Sequence, residues 1–123
     1  MTKLLIYLGE GEKFDFDQVV LAITSIRGVA NPRSGDFIGA LFECDYHLGN
    51  RETIVRVSKS LETVTVEGEG DESLSFALEF QSRIPATLLM TNLSYGFNLA
   101  LDSCSSLDEL RRAMSGSGPH PVE

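Results

Sequence analysis

The sequence is poor in several residue types that mark specialised classes of protein. It has no tryptophan and only two cysteines and two histidines in 123 residues. Two cysteines do not form a disulfide framework in a chain of this size. The chain is long enough to bury a hydrophobic core without disulfide bonds. The missing tryptophan also disfavours a carbohydrate site, because sugar rings are usually held on aromatic platforms.

Long hydrophobic runs are lacking as well. The N-terminal apolar run has only five residues, 4–8, before glycine and acidic residues follow. A signal peptide needs a longer apolar segment with a small-residue cleavage site, and a transmembrane helix needs about 20 apolar residues. We therefore expect a cytoplasmic protein that does not enter a membrane.

Basic residues are scarce relative to acidic ones. The chain has 10 Lys and Arg against 18 Asp and Glu, and its formal net charge is −8. Nucleic acids and anionic membrane surfaces are disfavoured as ligands, because both are recognised through clusters of Lys and Arg. A basic partner protein is compatible with this charge, since complementary charge steers encounter. The simpler interpretation is that the charge only keeps the protein in solution.

The sequence does contain a clear alternation in residues 37–48. Successive side chains of a strand point to opposite faces, so a period of two divides this segment into an apolar and a polar face. Cys44 falls on the apolar face and is predicted to be a small buried hydrophobe. A strand of this kind predicts a sheet with helices on one side and water or a partner on the other. The apolar set is Ile38, Ala40, Phe42, Cys44, Tyr46 and Leu48, and the polar set is Gly39, Leu41, Glu43, Asp45 and His47.

Apolar stripes and capping residues predict three helices, and alternating segments predict five further strands. Residues 31–35, Asn-Pro-Arg-Ser-Gly, are strong turn formers and are predicted to be a loop. The strands are expected at 2–8, 37–48, 52–58, 62–67, 87–90 and 97–101. The helices are expected from Asp15 or Asp17 to 26, from Asp71 or Ser73 to 83, and at 107–114, the last opened by a Ser106–Glu109 capping box.

These elements give the order β-α-β-β-β-α-β-β-α and an α+β fold class. We expect a single mixed, mostly antiparallel sheet with its helices packed on one face. The turns between the strands of 37–67 are too short for crossovers, which makes their pairing antiparallel. Residues 1–114 are predicted to form one domain and residues 115–123 a flexible tail.

No catalytic, cofactor or metal motif stands out. Gly9 and Gly11 follow a strand, but a dinucleotide fingerprint lacks its third glycine here and nearby acids would repel phosphates. Cys104 precedes a helix N-terminus, where a thiol pKa can fall, yet no base or orienting group is identified for it. We therefore expect no cofactor and assign no catalytic residue.

Glu43, Asp45 and His47 share the polar face of their strand at spacings of two residues. Neighbours on one face lie roughly 7 Å apart, which is too long for all three to bind one metal ion. We therefore predict no metal site, and a solvated face is the simplest interpretation. The functional interpretation is a partner-binding surface formed by Glu43, Asp45, His47, Glu52, Glu67 and Tyr95, in which carboxylates and an aromatic ring meet a basic protein.

The second half of the chain carries a family resemblance. The segments FALEFQ with RIP (76–85), NLSYGF (92–97) and SLDEL (106–110) resemble small bacterial immunity proteins of the polymorphic-toxin and contact-dependent growth inhibition systems. The resemblance covers residues 68–114 and lies in packing residues and helix caps. It implies a cytoplasmic, non-catalytic inhibitor that masks a cognate toxin, often a basic nuclease.

The leading hypothesis is therefore an immunity-type protein-binding module that masks a basic toxin domain through an acidic surface. An alternative is a small enzyme or small-ligand-binding protein that uses the polar sheet face around Glu43, Asp45 and His47. A carboxylate with a perturbed pKa in a deep pocket would favour that alternative. A third hypothesis is a homo-oligomeric structural subunit.

Overall fold

The computed structural model describes residues 2–9, 11–37, 40–93 and 96–115. Within these ranges it contains seven strands, three α-helices and one 3₁₀ turn. None of the helices in this part of the chain is long and apolar enough to cross a membrane. The elements are β1 Lys3–Tyr7, α1 Phe16–Thr24, β2 Val29–Phe37, β3 Ala40–Leu48, β4 Arg51–Ser58, β5 Val64–Glu67, α2 Asp71–Ser82, β6 Leu89–Asn92, β7 Asn98–Ala100, the 3₁₀ turn Leu101–Ser103 and α3 Leu107–Ser115.

The strands form one open sheet in the order β2-β3-β4-β5-β1-β6-β7. Every strand pair described is antiparallel, so the expected mixed sheet is in fact an antiparallel one. The α+β class and the single sheet are confirmed. The apolar strand β1 pairs with β5 on one side and β6 on the other, so it lies in the interior of the sheet.

One strand was missed by the sequence analysis. The predicted loop at 31–35 lies inside β2, which pairs with β3 at the edge of the sheet. The turn formers are tolerated because the register shifts between Ala30 and Arg33, and Asn31 in that interval adopts a positive φ of 54°. An edge strand has no partner on its outer side, so Pro32 costs little there. Strands β2 to β5 thus form a four-stranded meander, and Arg33 is placed opposite Glu43.

A single hydrophobic core lies between the sheet and the helices. The inward residues of β3, namely Ala40, Phe42, Cys44 and Tyr46, are buried as the alternation predicted, while Ile38 and Gly39 lie outside the described residues. Buried side chains from all three helices join the same core. The ring of Phe76 in α2 meets Tyr46 edge-on at 5.6 Å and stacks on Phe80 at 5.6 Å. The helices therefore pack on one face of the sheet.

The caps of the first and third helices follow the sequence prediction. The carboxylate of Asp15 accepts a hydrogen bond from the backbone N–H of Gln18 at 2.9 Å. Ser106 Oγ accepts one from the N–H of Glu109 at 3.1 Å. The carboxylate of Glu109 bonds back to the N–H of Ser105 at 2.7 Å, one residue earlier than the ideal capping box requires.

The cap of the second helix does not follow the prediction. Gly70 is the N-cap residue, and no side chain closes this end. Asp71 is already the first helical residue, while the hydroxyl of Ser73 donates to the carbonyl oxygen of Glu67 in β5. Ser73 therefore ties the helix to the sheet instead of capping it.

The glycine after the first helix has a steric role. Gly28 has a φ of 104°, and a Cβ built there would lie 2.5 Å from the carbonyl oxygen of His47. The N–H of His47 donates to the Gly28 carbonyl at 2.9 Å. The turn into β2 therefore needs a residue without a Cβ. Of the predicted tail, Ser115 is the last residue of α3 and residues 116–123 lie outside the described part of the chain.

Candidate protein-binding surface on the open face of the sheet

The side of the sheet that faces away from the helices is the candidate site. Alternation along each strand sends every second side chain to this side, and the paired registers place those side chains in rows across the strands. The described helices all pack on the opposite side. We call this surface the outer sheet face. On strands β1 to β5 it comprises Lys3, Leu5, Tyr7, Arg33, Leu41, Glu43, Asp45, His47, Glu52, Ile54, Arg56, Thr65 and Glu67.

Two arginines bind three carboxylates at its centre. Arg33 Nη2 lies 2.6 Å from Glu43 Oε2 and 3.4 Å from Asp45 Oδ1. Arg56 lies 3.1 Å from Glu43 Oε1 through Nε and 2.7 Å from Glu67 Oε2 through Nη1. The register explains this arrangement, because Arg33 on β2 and Arg56 on β4 both lie opposite Glu43 on β3. These five side chains are the charge network, and Glu43 is their shared member.

Hydrogen bonds lower the pKa values of two carboxyl groups of the network, Glu43 and Asp45. The hydrogen bond from Arg33 is the main cause that lowers the pKa of Glu43, and Arg56 lowers it further. The pKa of Asp45 is lowered first by the hydrogen bond from Asn31 Nδ2, at 2.8 Å, and then by Arg33. A carboxyl group works best as a general acid or base when its pKa is raised towards the operating pH. Both carboxylates are shifted in the opposite direction.

His47 and Glu52 form a separate pair at the end of the β3–β4 hairpin. His47 Nδ1 lies 3.4 Å from Glu52 Oε1, and the two side chains are 42% and 64% exposed. They face each other in register but do not contact the charge network directly. Of the six predicted residues, three therefore belong to the network and two form this pair. Tyr95 lies outside the described residues.

The arginines were absent from the sequence-based set of site residues. Arg56 could have been found, because Thr53, Val55 and Val57 occupy one face of β4 and leave Arg56 on the other. Arg33 gave no such signal, since its segment resembles a loop. With them included, the outer sheet face carries three basic side chains (Lys3, Arg33, Arg56) against four acidic ones (Glu43, Asp45, Glu52, Glu67), a net charge of −1 with His47 neutral.

An open depression of about 490 Å³ lies at one end of this face. Glu52, Ile54 and Glu67 line it together with Glu72 from α2. Glu72 is itself bound by Arg51 Nε at 2.6 Å, a contact that lowers the Glu72 pKa. The acidic groups in the depression therefore already have basic neighbours.

The two thiols lie away from this surface. Cys44 is fully buried, and burial raises its pKa to about 12, so it cannot supply a thiolate near neutral pH. Cys104 is half-buried beside Ser103, before α3. In the described ranges, no three His, Cys, Asp or Glu side chains are grouped so that they could hold a metal ion.

Comparison with known proteins gives no relatives. No family model matches the sequence, and no curated protein and no solved structure matches it either. The geometry of the outer sheet face is therefore the basis for inferring a function.

Proposed function

We propose that this chain is a non-catalytic, cytoplasmic protein-binding module of the immunity type, which masks a cognate bacterial toxin domain by occluding it with the outer sheet face. The observation that carries the proposal is a sheet face left open by the described helices, on which hydrogen bonds hold the charged side chains in place. A surface ordered before binding loses less conformational entropy when a partner docks.

The fixed charges of the charge network favour selective docking of one partner, and they add little to the long-range attraction of basic proteins. Each of its carboxylates already has an arginine partner, and the face as a whole is close to neutral. Fixed charges of alternating sign favour a partner with the complementary pattern and disfavour one with like charges opposite them. The net charge of the whole chain, −8, supplies the long-range attraction for a basic partner.

The geometry favours the face of the sheet over its β2 edge. Partners that add a strand need a straight edge with free backbone groups. The edge strand β2 contains Pro32, a positive φ at Asn31 and two register shifts against β3. These are the features that protect sheet edges from further pairing.

The enzyme alternative receives less support. The pKa values of Glu43 and Asp45 are lowered, which makes them poor proton donors and acceptors near neutral pH. The depression beside them is open, whereas small-molecule sites usually enclose most of the ligand.

The test is a pull-down from a lysate of the source cells with three matched variants as bait. Ile54→Arg places a long side chain on the outer sheet face, opposite Asp45, where the fold can accommodate its charge. Glu52→Lys reverses an exposed charge on the same face, and Glu12→Lys makes the same reversal in the exposed loop before α1. We expect one stoichiometric protein that is retained by the wild type and by Glu12→Lys, captured less by Glu52→Lys, and lost with Ile54→Arg.

Further measurements complete this test. The captured protein should inhibit growth when expressed alone, and co-expression of the wild-type chain should restore growth. Elution at high salt would agree with charge-assisted binding. Equal capture by Ile54→Arg and the wild type would refute docking on this face. Light scattering that gives a stable dimer dissociated by Ile54→Arg would instead favour a homo-oligomeric subunit.

A further inference from the structure

A second concave surface lies on the helical side of the protein. It is a cleft of about 520 Å³ between α2 and residues 101–107, which we call the helix cleft. α2 contributes Ser75, Leu78, Glu79 and Ser82, whose spacing of i, i+3, i+4 and i+7 places them on one stripe of the helix. The stripe differs from the buried one that carries Phe76 and Phe80, and the core residue Leu101 lies at the base of the cleft.

Residues 101–107 form the wall of the helix cleft opposite α2, and contacts hold this wall in place at both of its ends. The N–H of Leu101 donates to the carbonyl of Leu88 at 2.8 Å, and Leu101 is fully buried. Leu110 buries α3 in the same core, and Arg111 of α3 binds Asp71 at the start of α2. The two walls of the cleft therefore belong to one packed unit.

The lining combines apolar and acidic groups. The half-buried Leu78 and Leu107 supply aliphatic surface above the fully buried Leu101, and Glu79 and Asp102 supply carboxylates. Glu79 also binds Arg83 at 2.7 Å, and Asp102 accepts a hydrogen bond from Thr87 Oγ1 at 2.6 Å. No Lys or Arg is among the lining residues of this described region. Counted with Arg83, the cleft carries a net charge of −1, the same as the outer sheet face. In the described part of the chain Asp102 forms no ion pair, so its carboxylate is the group to which a cation can bind.

We infer that the helix cleft binds a cationic amphipathic helix of a partner protein. The apolar stripe of such a helix would lie on Leu78 and Leu107, and its Lys or Arg side chains would extend their aliphatic stems along these leucines to reach Asp102 and Glu79. This site is on the opposite side of the sheet from the outer sheet face. The inference about the helix cleft therefore does not depend on the proposed function.

The reactivity of one cysteine thiol can report whether the helix cleft is occupied. Cys104 lines it, and the other cysteine, Cys44, is buried with a pKa of about 12. A neutral alkylating reagent such as iodoacetamide should therefore modify one thiol per native chain. The probe is a synthetic helical peptide of leucine and lysine, and its matched control replaces each lysine by glutamate.

We expect the lysine peptide to slow alkylation of Cys104 saturably and the glutamate peptide to have no effect. The double variant Glu79→Gln/Asp102→Asn should raise the half-protecting concentration at least about threefold, from the usual strength of exposed ion pairs. Its control, Glu12→Gln/Glu62→Gln, loses two exposed acidic charges elsewhere and should behave as the wild type.

A second variant tests the shape of the cleft without a change of charge. Ser82→Phe adds a ring from the exposed side of α2 and should abolish protection by the lysine peptide. The proposal is overturned if the lysine peptide gives no protection, if both peptides protect equally, or if the two double variants weaken protection alike. Modification of a second thiol would show that the peptide unfolds the chain, which also contradicts specific docking.

Discussion

Replacing Glu43 by glutamine removes the carboxylate that both arginines of the charge network share, while the side chain keeps its size. Glu43 is only 17% exposed, and it accepts from Arg33 at 2.6 Å and from Arg56 at 3.1 Å. The variant thus tests directly whether the network stabilises the fold.

The expected loss follows from these contacts. A hydrogen bond to a charged group contributes about 1.5–3 kcal/mol, whereas an exposed ion pair contributes about 0.2–1 kcal/mol. Glutamine keeps one acceptor oxygen, and the arginines keep their contacts with Asp45 and Glu67. We therefore expect Glu43→Gln to lower the free energy of unfolding at pH 7 by about 1–2 kcal/mol. Glu52→Gln is the control, since that carboxylate is 64% exposed, and its effect should stay below about 0.5 kcal/mol.

The effect should depend on pH in one direction. The folded-state pKa of Glu43 is lowered below its unfolded value, chiefly by Arg33. Its ionised form therefore stabilises the protein above the unfolded pKa, and that contribution is lost as the pH falls through the folded pKa. The difference between the wild type and Glu43→Gln should shrink as the pH is lowered below about 4.

Urea unfolding followed by circular dichroism at pH 7 and at acidic pH measures both quantities, provided that the denaturant slopes of the variants agree. If Glu43→Gln matched Glu52→Gln at pH 7, the network would not stabilise the fold. A difference that stayed constant into acid would show that the loss comes from packing and not from charge.

Three further variants test the fold by the same urea unfolding. Gly28→Ala should destabilise by at least about 2 kcal/mol, because φ is 104° and the new Cβ would meet the carbonyl of His47 at 2.5 Å; a neutral result would contradict the turn geometry. Phe76→Ala should cost about 3–5 kcal/mol, since the ring is fully buried, and a loss below 1 kcal/mol would place it outside the core. Ser106→Ala should cost about 1 kcal/mol through the lost cap to Glu109, and an unchanged midpoint would refute that cap.

The fold was predictable where a pattern lies within one element. The alternation of β3 correctly separated buried Phe42 and Cys44 from outward Glu43 and Asp45, because a strand with one buried face enforces a period of two. β2 could not be recognised in this way. Its Asn-Pro-Arg-Ser-Gly segment has the composition of a turn, and it is a strand only because pairing with β3 offsets its weak propensity.

The candidate site was predictable only in part, because its chemistry depends on contacts between strands. The acidic residues share one strand face, so the sequence places them together. Their neutralisation by Arg33 and Arg56 depends on the register of β2 and β4 against β3, which no single segment specifies. A set of carboxylates recognised from one strand therefore indicates where a surface is, but not its net charge.

The net charge of the whole chain and the charges on the outer sheet face have different roles in binding a partner. The residues of the outer sheet face contribute −1 to the net charge of −8, so the remaining −7 comes from other residues. Long-range steering of a basic partner depends on the whole charge, while the stability of a docked complex depends on groups that lose water at the interface. The charge network is suited to the second role, since its ion pairs fix the positions of five side chains. A partner that binds this face would therefore be attracted by the protein as a whole and selected by the spacing of Arg33, Glu43 and Arg56.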